Sequence, residues 1–175
     1  MYFETERLAV RNFERKDFDE FNEMQTSSKV MKYTTGKANT REENKVEFEN
    51  IIHSYSKTMP TRTIMAIAKK FDGTDIFIGS CATELTQPRC VEIGYRFLEQ
   101  HWGNGFGLEI IQGLLTYAFE NLGAQEVIAE AYVENEHSIK LLEKSPMRFV
   151  QEYSDEHKLV YVYSLNKNEA GLAAN

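Results

Sequence analysis

The chain has 175 residues, of which 42% are hydrophobic and 27% are charged, and these values are ordinary for one globular domain with a proper core. Its formal net charge of −7 at pH 7 argues against nucleic acid as a partner, because phosphate neutralisation dominates such binding. No apolar run approaches the roughly 18 residues that a membrane span requires, and the first residues lack the basic and apolar regions of a signal peptide. We therefore expect a cytoplasmic protein that binds neither nucleic acid nor membrane.

The first third of the chain predicts one strand followed by two helices. Residues 7–13 alternate well enough for a strand, and residues 15–25 form a charged and aromatic segment with helical spacing. Thr40 and Glu43 have the spacing of a capping box, so a second helix is expected to start there. Between the two helices, residues 29–38 are expected to form a polar connection.

The period then changes to that of strands. Residues 63–68 and 76–82 are apolar runs that flank Asp72 and Gly73, and an Asp-Gly pair in this position is a strong hairpin signal. A third strand is predicted at 91–98. These three strands are expected to run antiparallel.

Three glycines at alternate positions, Gly103, Gly105 and Gly107, lead directly into apolar residues at helical spacing. Glycine lets the backbone come close to a ligand, and the start of a helix presents unpaired N–H groups that bind anions, above all phosphates. The segment is not a P-loop, since no Gly-Lys-Ser/Thr follows, and its last spacing differs from the dinucleotide fingerprint. A flexible connection before a core helix is the alternative interpretation.

The last third predicts a strand at 126–133, a helix at 135–144 and two closing strands near 148–153 and 158–165. Residues 168–175 are small and polar, which predicts a disordered tail. The whole order indicates an α/β (α+β) fold with a mixed, mostly antiparallel twisted sheet of about seven strands, flanked by four helices.

The two cysteines, Cys81 and Cys90, make no disulfide framework, which favours a reducing compartment. Neither has the sequence neighbours of a nucleophile or of a zinc ligand. We therefore expect each cysteine to be either buried or without a chemical role, and we expect no metal site.

Four motifs follow one another along the chain. They are Glu4-Thr5-Glu6-Arg7-Leu8-Ala9-Val10-Arg11, Glu92-Ile93-Gly94-Tyr95, Trp102-Gly103-Asn104-Gly105-Phe106-Gly107-Leu108-Glu109 and Asn135-Glu136-His137-Ser138-Ile139-Lys140-Leu141-Leu142-Glu143-Lys144. In this order and spacing they resemble the GNAT acetyltransferase superfamily, most closely its ribosomal-protein N-acetyltransferase-like (RimJ/RimL-like) branch.

The resemblance implies a single GNAT-like domain over residues 1–167, with a splay between the strands near 91–98 and 126–133. It implies acetyl-CoA as co-substrate, with the pyrophosphate on backbone amides of the glycine loop and the pantetheine arm along the first of those strands. The implied cofactor-binding residues are Ile93, Gly94, Tyr95, Arg96, Phe97, Gly103, Asn104, Gly105, Phe106, Gly107, Leu108, Asn135 and Ser138.

Two residues are the catalytic candidates under this resemblance. Glu92 lies on the strand beside the expected thioester and is the candidate base, directly or through water; a solvated surface position is the alternative. Many relatives carry a Tyr four residues after the last motif's Ser as general acid, but this chain has Leu142, which leaves Ser138 as the substitute. The alternative for Ser138 is a hydrogen bond to the main chain of its own helix, without a catalytic role. The alternative for Asn135 is that it serves only as the cap of that helix.

The implied function is acetyl-CoA-dependent transfer of an acetyl group to a primary amine, by direct attack in a ternary complex. The acceptor is a protein N-terminus or an amine-bearing small molecule, and the sequence does not distinguish them. A CoA-binding sensor or structural module without turnover is the alternative, because the usual Tyr is missing. A nucleotide-binding domain that uses the same glycines is a third hypothesis. Dimers are frequent among similar proteins, so a homodimer is possible while the oligomeric state stays open.

Overall fold

The computed structural model describes residues 1–57, 60–156 and 158–171. Within these ranges the chain forms eight strands and five α-helices. The strands are β1 (Phe3–Glu4), β2 (Leu8–Arg11), β3 (Arg62–Phe71), β4 (Thr74–Gln87), β5 (Cys90–Phe97), β6 (Glu126–Tyr132), β7 (Arg148–Asp155) and β8 (Lys158–Asn166). The helices are α1 (Phe18–Thr26), α2 (Ser28–Met31), α3 (Arg41–Ser54), α4 (Phe106–Glu120) and α5 (Glu136–Lys144).

All eight strands belong to one mixed sheet with the order β1-β2-β3-β4-β5-β6-β8-β7. The pairs β1–β2, β2–β3, β6–β8 and β8–β7 are antiparallel, and β5–β6 is parallel. The predicted fold class, a mixed and mostly antiparallel sheet flanked by helices, is confirmed.

The element counts differ from the expected seven strands and four helices. The additional strand β1 has two residues, and the additional helix α2 has four. Neither is long enough to show a hydrophobic period in sequence. The connection expected at 29–38 therefore begins inside α2, where Val30 and Met31 are buried.

The chain folds into two compact units. Unit 1 comprises Met1–Ala82 and Tyr95–Phe106, and unit 2 comprises Thr83–Gly94 and Gly107–Asn175. The predicted domain boundary at residue 167 stays a prediction. Of the predicted tail, residues 168–171 continue as a turn, whereas 172–175 lie outside the described residues.

The core of unit 1 is aromatic. Phe13 packs edge-on against Phe21 and Phe48, with ring centroids 5.4 and 5.6 Å apart, which joins α1 and α3 to the chain after β2. Edge-to-face pairs of this kind stabilise by about 1 kcal/mol each beyond their buried area. The predicted capping box at the start of α3 is present, because Thr40 accepts from the Glu43 amide and Glu43 accepts from the Thr40 amide. This core fixes the direction of α3.

In unit 2, the central strand β6 pairs along its whole length with β8, from Glu126 opposite Asn166 to Tyr132 opposite Val160. Buried apolar side chains of β6 and β8 form part of its core, as do those of α4. They include Val127, Ala129, Val162, Leu165, Ile110, Ile111 and Leu114. α5 contributes the buried Leu142.

Candidate active site

The parallel pair in unit 2 is short. β5 and β6 pair at Cys90–Glu92 with Glu126–Ile128, so Ile93 and Gly94 lie beyond the last pair. A Cβ built on Gly94 would have no atom within 4 Å. Main-chain groups at the end of such a short pair are able to accept an extended ligand as an additional strand.

The glycine loop in unit 1 follows a 3₁₀ turn at Glu99–His101. The indole N–H of Trp102 donates to the carbonyl of Phe97 at 2.9 Å, which holds the start of the loop against the end of β5. Gly103 and Gly105 have φ values of 76° and 78°, in the left-handed region that favours glycine. A side chain at either position would strain the loop.

Arg7 sets the orientation of this loop. Its Nη1 donates to the carbonyl of Asn104 at 2.9 Å, and its guanidinium lies 4.6 Å from the centroid of the Phe106 ring. Because a trans peptide is planar, the N–H of Gly105 points opposite to the Asn104 carbonyl and away from Arg7. Within the described part of unit 1, no amide of Gly103, Asn104 or Gly105 donates a hydrogen bond.

The third glycine has a packing role in unit 2. A Cβ on Gly107 would lie 2.6 Å from Cδ1 of Leu141, so the missing side chain lets α4 approach α5 closely. In α5, the Asn135 side chain accepts from the Ser138 amide at 3.3 Å. Asn135 is therefore a helix cap, and Ser138 lies in the first turn. Leu142, one turn further, is 1% exposed and belongs to the core.

Glu92 is half-buried on β5. Its charge acts on Tyr153, which belongs to a cluster in unit 2 formed by Tyr132, Tyr153, Glu130 and Asp155. The Tyr153 hydroxyl donates to Oε2 of Glu130, and the Tyr132 hydroxyl donates to Asp155 at 2.8 Å. The hydrogen bond to Glu130 raises the pKa of Tyr153, burial raises it further, and the charges of Glu130, Asp155 and Glu92 add to the effect. The predicted base therefore lies within electrostatic range of a phenol, which no sequence motif indicated.

A family model of the acetyltransferase (GNAT) domain matches residues 7–148. The chain belongs to the GNAT acetyltransferase family. It is 30% identical over 173 residues to a Bacillus licheniformis protein described as the uncharacterized N-acetyltransferase p20, across 94% of this chain and 96% of that protein. It is 27% identical over 148 residues to the Bacillus subtilis protein described as the uncharacterized N-acetyltransferase YnaD, across 85% and 83%.

Solved GNAT structures confirm the fold. A GNAT-family acetyltransferase from Bacillus anthracis superposes with a TM-score of 0.82 at 24% identity, across 96% of this chain and 99% of that one. A spermidine N-acetyltransferase from Vibrio cholerae, solved with CoA and spermine, superposes with a TM-score of 0.78 at 17% identity, across 93% and 97%. By family and by its relatives, this GNAT protein is an N-acetyltransferase.

The predicted site residues of the GNAT domain are divided between the two units. Unit 1 carries Tyr95, Arg96, Phe97, Gly103, Asn104, Gly105 and Phe106, and unit 2 carries Glu92, Ile93, Gly94, Gly107, Leu108, Asn135 and Ser138. The sequence motifs did not reveal that Arg7 contacts the loop, because 97 residues separate it from Asn104.

Two further features concern the chemistry that the fold could support. Cys81 and Cys90 are both buried, and burial raises the pKa of the Cys81 thiol, which disfavours the thiolate. The described residues contain no group of three or more His, Cys, Asp or Glu side chains that could hold a metal ion.

None of the helices within the described ranges has the length and apolarity needed to cross a membrane.

Proposed function

We propose that this protein transfers the acetyl group of acetyl-CoA to a primary amine, by direct attack in a ternary complex. The observation that carries the proposal is the glycine loop. Two left-handed glycines and a carbonyl held by Arg7 turn the Gly105 amide away from Arg7, immediately before the start of α4. Amides at the start of a helix form an anion site suited to a diphosphate.

The residues present fit acetyl-CoA, which when bound supplies an acetyl thioester. Amides of residues 103–108 hold the diphosphate. Main-chain groups of residues 93–97 bind the pantetheine arm, and the open space beside Gly94 leaves room for it. An N–H of this strand polarises the thioester carbonyl. Asn135 and Ser138 contact the cofactor arm from α5.

In this proposal, Glu92 takes the proton of the attacking amine, directly or through one water. Ser138 donates a hydrogen bond to the departing sulfur. It thereby takes the role of the Tyr that many relatives carry at the position of Leu142. A thiol with a pKa near 8.5 needs little acid assistance to leave, so positioning of the two substrates supplies much of the catalysis. No covalent enzyme intermediate is required.

The acceptor is an amine-bearing small molecule or a protein N-terminus. The motif pattern supports membership of the RimJ/RimL-like branch, whose resemblance implies protein N-termini. The structural similarity to a spermidine N-acetyltransferase supports a small-molecule amine. The proposal also includes a homodimer, because dimers are frequent among proteins that resemble this chain.

Thiol release from acetyl-CoA, measured with a panel of amines and N-terminal peptides, tests the proposal. We expect release that depends on both the amine and acetyl-CoA. Tight CoA binding without release on any acceptor would instead favour a sensor without turnover. A thermal shift produced by ATP or NAD, but not by CoA, would favour a nucleotide-binding domain.

A further inference from the structure

Trp102 is the only tryptophan of the chain, and it is 47% exposed directly before the glycine loop. Burial of a large aromatic side chain is among the most favourable contributions to packing, so an exposed indole leaves part of that contribution unused. The fold therefore covers only about half of this side chain. The rest of its surface is open to a ligand.

Three hydrogen bonds hold Trp102 in place within unit 1. Its indole N–H donates to the Phe97 carbonyl at 2.9 Å, and its amide donates to the Glu99 carbonyl at 3.0 Å. Its own carbonyl accepts from Nδ2 of Asn104 at 3.1 Å. The bond to Phe97 uses the single donor of the indole and sets the orientation of the ring. A ring that is fixed before a ligand arrives binds that ligand at low entropic cost.

The rings of Phe97 and Phe106, which lie on either side of Trp102 in the chain, are already covered. They are 7% and 5% exposed, and their centroids lie 6.4 Å apart. The guanidinium of Arg7 also lies over the Phe106 ring, 4.6 Å from its centroid. Of these three aromatic residues, Trp102 is therefore the one with surface left for a ligand.

This open ring lies next to the amides proposed to hold the diphosphate of acetyl-CoA. The amides of Gly103, Asn104 and Gly105 donate no hydrogen bond within residues 1–57, 60–82 and 95–106. Consecutive Cα atoms are about 3.8 Å apart, so the Cα of Trp102 lies at most about 11 Å from that of Gly105. In CoA a single ribose separates the diphosphate from the adenine, so the base is able to reach a ring at this distance.

We propose that the indole of Trp102 stacks on the adenine of acetyl-CoA. This role rests on the proposed acetyl transfer and adds a base-binding surface to its diphosphate site. Bases stack favourably on aromatic side chains because both partners present a flat π-face. Adenine is remote from the thioester, so Trp102 contributes to the affinity for the co-substrate and not to the chemical step.

Fluorescence provides the first test, because all tryptophan emission of this protein comes from residue 102. The ligands are CoA and 3′-dephospho-CoA, which carry adenine, and 4′-phosphopantetheine, which does not. Calorimetric titration gives their affinities, with displacement of bound CoA for the weaker ligand. We expect both adenine-bearing ligands to quench the emission at saturation and 4′-phosphopantetheine to leave it unchanged. CoA that binds without quenching would contradict the stacking.

Two reciprocal variants separate the ring of Trp102 from its hydrogen bond. Trp102→Phe keeps a flat ring and loses the donor to Phe97, whereas Trp102→Gln keeps an N–H donor and loses the ring. We expect Trp102→Gln to weaken CoA binding roughly ten- to a hundredfold, as the loss of one base stack does, and Trp102→Phe to weaken it less. A larger loss in Trp102→Phe would show that the indole serves only to anchor the loop, which would overturn the inference.

The adenine-free ligand shows which part of CoA the ring contacts. We expect Trp102→Gln to leave the affinity for 4′-phosphopantetheine nearly unchanged and to weaken 3′-dephospho-CoA as much as CoA. Equal losses for CoA and 4′-phosphopantetheine would place the indole on the pantetheine arm or the loop and overturn the inference, while acetyl transfer would stand. Phe71→Ala is the control, since Phe71 is a 61% exposed aromatic residue of the same unit, and its CoA affinity should equal that of the wild type. A protein that binds no CoA would instead refute the proposed function, and the stacking with it.

Discussion

Arg7 and Asn104 are joined by a hydrogen bond of 2.9 Å from the guanidinium to the main-chain carbonyl. This contact links the segment before β2 to the glycine loop. It fixes the peptide between Asn104 and Gly105, so the amide of Gly105 points away from Arg7. A residue that shares no motif with the loop thereby determines how the loop presents its donors.

Replacement of Arg7 by Ala should therefore weaken acetyl-CoA binding. We expect KM for acetyl-CoA to rise roughly tenfold, the effect of losing one hydrogen bond to a charged group, with a smaller change in kcat. Steady-state thiol release at saturating amine measures both constants. Arg15→Ala, which removes an exposed ion pair with Glu49, is the control. An unchanged KM in the Arg7 variant would mean that the loop keeps its orientation without this contact.

Gly105 should tolerate no side chain. At φ of 78°, an L-residue costs about 1–2 kcal/mol, and a Cβ there would lie 3.5 Å from Nη2 of Arg7. We expect Gly105→Ala to weaken CoA binding and Gly105→Glu to abolish it, because the latter adds a negative charge where phosphates bind. Calorimetric titration with CoA measures the effect.

Gly36 provides a matched control for that experiment. It has the same φ of 78°, no atom lies within 4 Å of its Cβ position, and it belongs to the same unit. Gly36→Ala should therefore carry a similar backbone strain without changing CoA affinity. If the two alanine variants weaken CoA binding equally, the effect at Gly105 comes from strain alone and not from the loop.

The sequence was sufficient to predict the fold because its local signals agree with one another. The capping box of α3 and the Asp72-Gly73 hairpin are fixed by residues three or fewer apart. Asp72 and Gly73 have φ values of 41° and 75°, as the expected turn requires. Such signals need no knowledge of distant contacts. β1 and α2 escaped prediction because tertiary contacts stabilise them and their own periodicity does not.

The candidate site was only partly predictable. The glycine loop and the cap at Asn135 are local and could be read from sequence. The contacts of Arg7 and Tyr153 depend on partners 97 and 23 residues away, so neither spacing nor composition indicates them. Long-range pairs of this kind require coordinates.

Glu92→Gln should separate base catalysis from cofactor binding. The substitution keeps the size of the side chain and removes its ability to accept a proton. If Glu92 is the base, we expect kcat/KM for the amine to fall by roughly 10²–10⁴, the usual contribution of general acid–base catalysis, with nearly unchanged affinity for CoA. Rates measured from pH 6 to 9 check this. Glu152→Gln, at an exposed position of β7, is the control. A rate equal to that of the wild type across this range would exclude Glu92 as the base.

Asn135 and Ser138 should respond differently to substitution, although the Ser138 amide donates a hydrogen bond to the Asn135 side chain. Asn135→Ala removes the cap of α5 and should lower the free energy of unfolding by about 1 kcal/mol. Ser138→Ala keeps the main-chain N–H of residue 138, which donates to the Asn135 side chain. The free energy of unfolding should therefore change little. If the Ser138 hydroxyl assists the leaving sulfur, kcat should fall. Urea unfolding and turnover on the same preparations distinguish these effects. A Ser138 variant with normal kcat would show that its hydroxyl serves only the helix.

The ion cluster around Arg11 should make the stability of unit 1 sensitive to acid. The hydrogen bond from Arg11 lowers the pKa of Asp75 below its usual range, although partial burial opposes the effect. A lowered folded-state pKa stabilises the fold above the unfolded value of about 3.9, and that contribution is lost as the pH falls towards the folded pKa. Asp75→Asn should therefore lower stability at pH 7 and flatten its decline below about pH 4.

Asp17→Asn tests the buried part of the same cluster, since Asp17 is 2% exposed and bonds Arg11 through both oxygens. Removing one charge of a buried pair costs about 3 kcal/mol, because the guanidinium stays buried with less compensation. Asp19→Asn is the control, because the Asp19 side chain is 80% exposed in a surface pair with Arg41, and such a pair contributes about 0–1 kcal/mol. Urea unfolding at pH 7 and at pH 4 compares the three variants with the wild type. Equal losses for Asp17→Asn and Asp19→Asn would show that the Arg11 cluster contributes no more to stability than an exposed pair.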